Sequence, residues 1–119
     1  MSNNDMCSVV CNNLEQVNRV KRHLDQLPMK EVTLFLKAIA DENRSKIVSA
    51  LCTEEELCVC DIACILDISI ANASSHLRKL HKQGVVKTRK DGKLVHYSLD
   101  DRHVKLIMET TIEHMEEKL

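Results

Sequence analysis

The 119 residues give room for one ordinary domain and not for two. Apolar residues make up 44% and charged residues 29%, proportions that exclude a disordered chain, and no apolar run approaches the ~20 residues of a membrane span. The net charge of −1 is unevenly spread: seven Lys/Arg (Arg78, Lys79, Lys82, Lys87, Arg89, Lys90, Lys93) stand with Asp91 alone between His76 and His96, giving +6 there and leaving −7 elsewhere. Such a basic window in a near-neutral chain predicts a polyanion-binding surface.

In chain order, Met1-Ser2-Asn3-Asn4-Asp5 carries no positive charge and no apolar stretch follows it, so no secretory signal is expected and the expected location is cytoplasmic. In that reducing compartment the six cysteines (7, 11, 52, 58, 60 and 64) point to metal binding or redox sensing rather than to a disulfide framework. Residues 1–12 are expected to form a flexible arm that carries Cys7 and Cys11. Leu14, Val17, Val20, Leu24 and Leu27 then follow helical spacing, ended by Pro28. Val32, Phe35, Leu36 and Ile39 mark a second helix. Asp41 is placed to cap a third, with Ile47, Val48 and Leu51 as its buried face. After Glu54-Glu55-Glu56, the end of Leu57-Cys58-Val59-Cys60-Asp61-Ile62-Ala63-Cys64-Ile65-Leu66 reads as a short buried helix.

Ser69 is a plausible N-cap for a helix over 70–83, stopped by Gly84. Ile70, Ala73, Leu77 and Leu80 share one side of it, and Asn72, Ser75, His76, Lys79 and Gln83 the other. That polar face, with Arg78 and Lys82 beside it, suits a major groove, although an ordinary solvated face has the same composition. The next segment decides between them. Residues 85–90 and 93–99 are strand-like, with Asp91-Gly92 between them as a two-residue hairpin turn in which both positions need positive φ. Lys87, Arg89, Lys90 and Lys93 would meet phosphates. The fold class expected is mainly α with a β-hairpin wing: a single winged helix-turn-helix domain over 1–119, with the helix-turn-helix at 58–83 and the wing at 85–99. Because Phe35 and Tyr97 are the only aromatics, base stacking on single strands is disfavoured and the expected partner is double-stranded operator DNA.

Residues 100–119 read as a dimerisation helix with Val104, Ile107, Met108, Thr111, Ile112 and Met115 along one stripe. With no sheet left to cover, that stripe is expected to pack on a partner, giving a homodimer through terminal helices whose recognition helices reach successive grooves.

Two sets of residues carry metal chemistry. Cys7 and Cys11 fall on one face of a helical turn. Cys58 and Cys60 would point about 200° apart in a regular helix, so they chelate only in an extended or fraying helix start. Four thiolates around a divalent ion make a soft site favouring Cd(II), Pb(II) or Zn(II). Cys52 and Cys64, which follow core-facing apolar residues, read as small buried hydrophobes. At the chain end, Asp101 and His103 start the last helix and His114 and Glu117 finish it, ~16 Å apart along the axis. One ion cannot span that, but two antiparallel helices across a dimer axis would bring Asp101 and His103 to the partner's His114 and Glu117, a four-ligand N/O set suited to zinc. A solvated acidic helix with stray histidines is the plainer alternative.

Leu36-Lys37-Ala38-Ile39-Ala40-Asp41-Glu42-Asn43-Arg44, Glu56-Leu57-Cys58-Val59-Cys60-Asp61-Ile62-Ala63 and Ser74-Ser75-His76-Leu77-Arg78-Lys79-Leu80, followed by the basic wing, resemble the ArsR/SmtB metalloregulators, over roughly residues 7–117. The resemblance implies a homodimeric repressor that leaves its operator when metal binds. In the family's cadmium-sensing branch it implies a Cd(II) or Pb(II) site on Cys7, Cys11, Cys58 and Cys60, the first two from the partner chain. It also implies a Zn(II) site on Asp101, His103, His114 and Glu117, and control of a cadmium-efflux operon. Cys64 matches neither site. A thiol redox-sensing repressor and a metal buffer remain as alternatives, the second disfavoured by the basic wing. An enzyme is not expected, since Gly84 and Gly92 are the only glycines and no phosphate-binding loop exists.

Overall fold

A computed structural model describes residues 11–119. The chain divides into two compact units, Met1–Val32 and Thr33–Leu119. The first contains α1 (Leu14–Asp25), capped by Asn13, whose side chain accepts from Gln16 N at 2.9 Å. Among the described residues none of α1 is buried, and its apolar Leu14, Val20 and Leu24 are exposed. Next comes α2 (Met29–Ile39), of which Ala38 and Ile39 are buried.

The second unit holds the core. Asp41 caps α3 (Glu42–Thr53) as expected, accepting from Arg44 N at 3.0 Å, and Ile47, Val48 and Leu51 are buried. Two residues, Leu57–Cys58, form a short strand β1 that the sequence reading did not contain. Then follow α4 (Val59–Leu66) and α5 (Ile70–Lys82). The turn between them rests on Asp67 in the left-handed region (φ 55), where Ile68 N donates to Ala63 O at 3.0 Å. A short polar side chain tolerates that conformation better than most, in a place where glycine is usual. Ser69 caps α5 through Asn72 N at 3.0 Å. Gly84 (φ 73) ends it in a Schellman arrangement, Gly84 N donating to His81 O and Val85 N to Leu80 O.

The wing is β2 (Val86–Asp91) with β3 (Leu94–Leu99), and the sheet order is β1-β3-β2, all antiparallel. Asp91 pairs with Leu94, so the turn is Gly92-Lys93 rather than the expected Asp91-Gly92. Only Gly92 of those residues has positive φ (65), as at the first centre of a type II′ turn, which also follows the right-handed strand twist. The register therefore sits one residue later than expected.

Helix α6 (Arg102–Lys118) closes the chain. Its stripe was expected to serve a partner alone. Instead Val104 and Met108 are buried in the chain's own core, while Ile107, Ile112 and Met115 stay exposed. Ile47, Ile62, Leu77, Leu80, Val48, Val85 and Val86 form the fully buried centre, drawn from α3, α4, α5 and the base of the wing. Ile70, expected on the inner side of its helix, is 53% exposed because it is the first residue of α5 and extends past the core. Among the described residues no helix is long and apolar enough to cross a membrane.

Candidate nucleic-acid interface and metal ligands

Helix α5 buries Ala73, Leu77 and Leu80 and leaves Asn72, Arg78, Lys79 and Lys82 exposed, with Ser75 and Gln83 half-buried. The apolar side pins the helix to the core, which leaves the basic side as the outer surface. His76 departs from the expected pattern. Its side chain is only 13% exposed and turns towards the start of α3, where Nδ1 lies 3.4 Å from Arg44 Nη1 and 3.9 Å from Asp41 Oδ2. A guanidinium only donates, so Nδ1 accepts from Arg44 only in the neutral ring, whereas a protonated ring pairs with Asp41 instead. Arg44 is itself held by Ala38 O, which accepts from Nε at 2.6 Å. The Asp41 carboxyl is lowered, first by the Arg44 backbone hydrogen bond; partial burial opposes this, and the charges of Arg44 and His76 assist it.

On the wing, Lys87, Thr88, Arg89, Lys90 and Lys93 are exposed. Among the described residues Lys87, Lys90 and Lys93 form no ion pair, whereas Arg89 is taken up by Glu56 in a two-point contact: Nη2 to Oε1 at 2.8 Å and Nε to Oε2 at 3.0 Å. Arg89 is among the expected phosphate contacts, while Glu56 has no expected role. The two are 33 residues apart, and only the pairing of β1 with β3 brings them together.

Of the expected thiolate set, Cys7 lies outside the described residues, and Cys11 is half-buried just ahead of α1. Cys58 ends β1 in an extended conformation (φ −90, ψ 169) as the N-cap of α4, and Cys60 is exposed in its first turn. This strand-to-helix break removes the regular-helix geometry that would point the two thiols apart. Cys58 Sγ donates to Asp61 Oδ2 at 3.1 Å, and the same oxygen accepts from Cys58 N at 3.3 Å. Soft sulfur donors with an adjacent proton acceptor suit a soft divalent ion. Cys52 is half-buried against the core, and its thiol is raised first by burial and then by the charge of Glu109, with Lys105 opposing. Cys64, expected to be buried, is exposed: α4 turns Ile62 and Ala63 inward and Cys64 outward.

At α6, Asp101 is the N-cap, accepting from His103 N at 2.8 Å, and its Oδ1 lies 3.3 Å from His103 Nδ1. Partial desolvation pushes the Asp101 carboxyl up, but the side-chain and backbone hydrogen bonds from His103 and its charge outweigh this and hold it below the ordinary range. His114 and Glu117 are exposed at the far end, His114 beside a shallow apolar surface of Leu106, Ile107 and Thr110. These imidazole and carboxylate donors fit zinc. Among the described residues, no three His, Cys, Asp or Glu gather closely enough in one chain to hold a metal ion.

A capped helix-turn-helix followed by a basic hairpin defines a winged helix-turn-helix, the architecture of DNA-binding regulators. Comparison with known proteins gives the family. Residues 41–88 match the model described as bacterial regulatory protein, arsR family. The chain is 46% identical over 117 residues to the cadmium resistance transcriptional regulatory protein CadC of Listeria innocua, covering 98% of each. It is 47% identical to the CadC homolog of Staphylococcus aureus, covering 95% of this chain and 93% of that one. Among solved structures it is similar to the homodimeric winged helix-turn-helix DNA-binding domain Mb0332 of Mycobacterium bovis. That likeness has TM-score 0.71 and 25% identity, over 76% of this chain and 83% of that one. The chain belongs to the ArsR family, whose members are transcriptional regulators and not enzymes.

Proposed function

We propose that the protein is a metal-responsive repressor that binds double-stranded operator DNA as a homodimer and leaves it on binding metal, controlling a cadmium-efflux operon. The 46% identity to a cadmium resistance regulator over nearly the whole chain supports the cadmium assignment. The homodimeric relative, the exposed Leu14, Val20 and Leu24 of α1 and the exposed Ile107, Ile112 and Met115 of α6 support the dimer. Asn72, Ser75, Arg78, Lys79 and Lys82 of α5 and Gln83 at its C-terminal cap face the DNA, and Lys87, Arg89, Lys90 and Lys93 of the wing meet phosphates. His76 acts through the position of α5.

Cd(II) or Pb(II) is assigned to Cys58 and Cys60 with Cys7 and Cys11 of the partner's arm, and Zn(II) to Asp101 and His103 with His114 and Glu117 across paired α6 helices. A bound ion supplies a cross-link between side chains that are otherwise separate. In this reading residues 1–12 are a ligand-bearing arm, 58–83 the reading head, 85–99 the wing and 100–119 the dimer helix.

One observation carries the coupling of metal to DNA: Cys58 pairs with His96 in β3, and His96 pairs with Arg89 in β2. A rung of the sheet thus runs from a candidate ligand to the middle of the wing. To ligate a metal the Cys58 thiol would pass its proton to solvent and lose its hydrogen bond to Asp61, which would loosen the cap at the start of α4. Because α4 supports α5, a shift there changes how the reading head meets a groove. Metal and DNA then weaken each other by the same factor, with couplings typically ~1–3 kcal/mol; turning a 1:99 population into 99:1 needs about 5.5 kcal/mol.

The test is a DNA-binding titration with Cd(II), Pb(II) and Zn(II) beside a reductant-only control. Release by metal under reducing conditions supports the reading; release that follows air and ignores metal assigns the protein to thiol redox sensing instead.

A further inference from the structure

The acidic run Glu54-Glu55-Glu56 has no part in the function argued so far, yet Glu56 makes the closest side-chain ion pair of the wing. The pair borders a groove of about 610 Å³ with Lys87, Arg102 and Lys105. We propose that Glu56 is a built-in competitor for DNA phosphate: its carboxylate occupies the Arg89 guanidinium in the free protein and must yield it for the wing to grip the DNA backbone. This rests on the wing being a DNA-contacting element.

The geometry carries the competition. A carboxylate and a phosphate both offer two acceptor oxygens to the same guanidinium fork. Glu56 takes Nε and Nη2, leaving the opposite edge, but its charge within 3.0 Å cancels much of the attraction that the guanidinium would exert on a phosphate there. Neighbouring Glu55 lines the same groove, is exposed and has no ion pair among the described residues, so it supplies a control of equal charge. Glu56 also lies two residues before Cys58, on the segment that leads into β1. The competitor is therefore anchored to the strand that carries a candidate ligand.

The experiment measures affinity of the full-length, metal-free protein for a duplex selected by that protein from a random-sequence DNA pool, as a function of salt. E56Q keeps the size and a hydrogen-bonding group of Glu56 while removing its charge. It is expected to tighten binding about two- to fivefold, the scale of an exposed pair. The slope of log K against log salt should change by less than the ~0.9 of a whole phosphate contact, because Arg89 meets the same phosphate in both complexes. E55Q is expected to change affinity less and to leave the slope unaltered. In the R89Q background, E56Q should give no gain. Equal or weaker binding by E56Q, or the same gain with Arg89 absent, overturns the proposal while leaving the wing interface standing. If R89Q alone leaves binding unchanged, the wing contact itself is wrong and the competitor falls with it. Thermal melting of each variant separates loss of fold from loss of grip.

Discussion

His76 Nδ1, on the helix that carries the basic face, lies 3.4 Å from Nη1 of Arg44 on the helix two helices earlier. The contact ties the middle of α5 to the N-terminus of α3, where Asp41 caps the same turn. In the proposed reading His76 positions α5 rather than reading bases. His76→Ala is expected to weaken duplex binding about fivefold, the worth of one hydrogen bond of ~1 kcal/mol, without changing the salt slope. Lys79→Ala, by contrast, should reduce the slope by about 0.9. A slope change in the His76 variant contradicts the assignment.

Asp41 joins cap and charge. Its folded carboxyl lies below its ordinary value, so it stabilises the fold above the unfolded pKa of about 3.9, and that contribution is lost as pH falls through the folded value. Asp41→Ala is expected to cost about 1 kcal/mol at neutral pH. The gap to wild type, followed by urea unfolding, should narrow below about pH 4; a gap independent of pH would assign the loss to packing alone.

The exposure of the thiols sets an order of reaction. Among the cysteines of residues 11–119, Cys60 and Cys64 are expected to alkylate first in the metal-free, reduced protein, and Cys52, sheltered by the core and with its thiol raised by burial, last. Peptide mapping after brief iodoacetamide treatment reads the order. Early labelling of Cys52 would mean that the region around Leu51 opens readily.

Zinc should depend on α6 alone. His103→Ala is expected to lower zinc stoichiometry while leaving cadmium binding through the thiolates largely intact. Undiminished zinc binding in a titration removes that site from the account.

Much of this structure is legible in the sequence because local signals agree. Ile47, Val48 and Leu51 fall on one helical face and are buried together; Asp41 and Ser69 are caps with the expected backbone partners; Gly84 stops α5. What escaped depends on contacts distant in sequence or on fine register. β1 has two residues, too few for any alternation, and exists because β3 offers it an edge. The hairpin turn slid by one residue, since Asp91 pairs as well as it turns. Cys64 follows an apolar residue, yet 100° of helical rotation carries it from the core to the surface. The Glu56–Arg89 and Arg44–His76 contacts span 33 and 32 residues, beyond the reach of any motif.

The central claim is that metal at Cys58 and Cys60 is transmitted to the DNA-reading surface. It is tested most directly by following duplex dissociation under cadmium titration in wild type, Cys58→Ser and Cys60→Ser, all fully reduced. The account predicts that both variants bind DNA like wild type and fail to release it at the cadmium concentration that frees the wild-type protein. Release of either variant at that same concentration would contradict it.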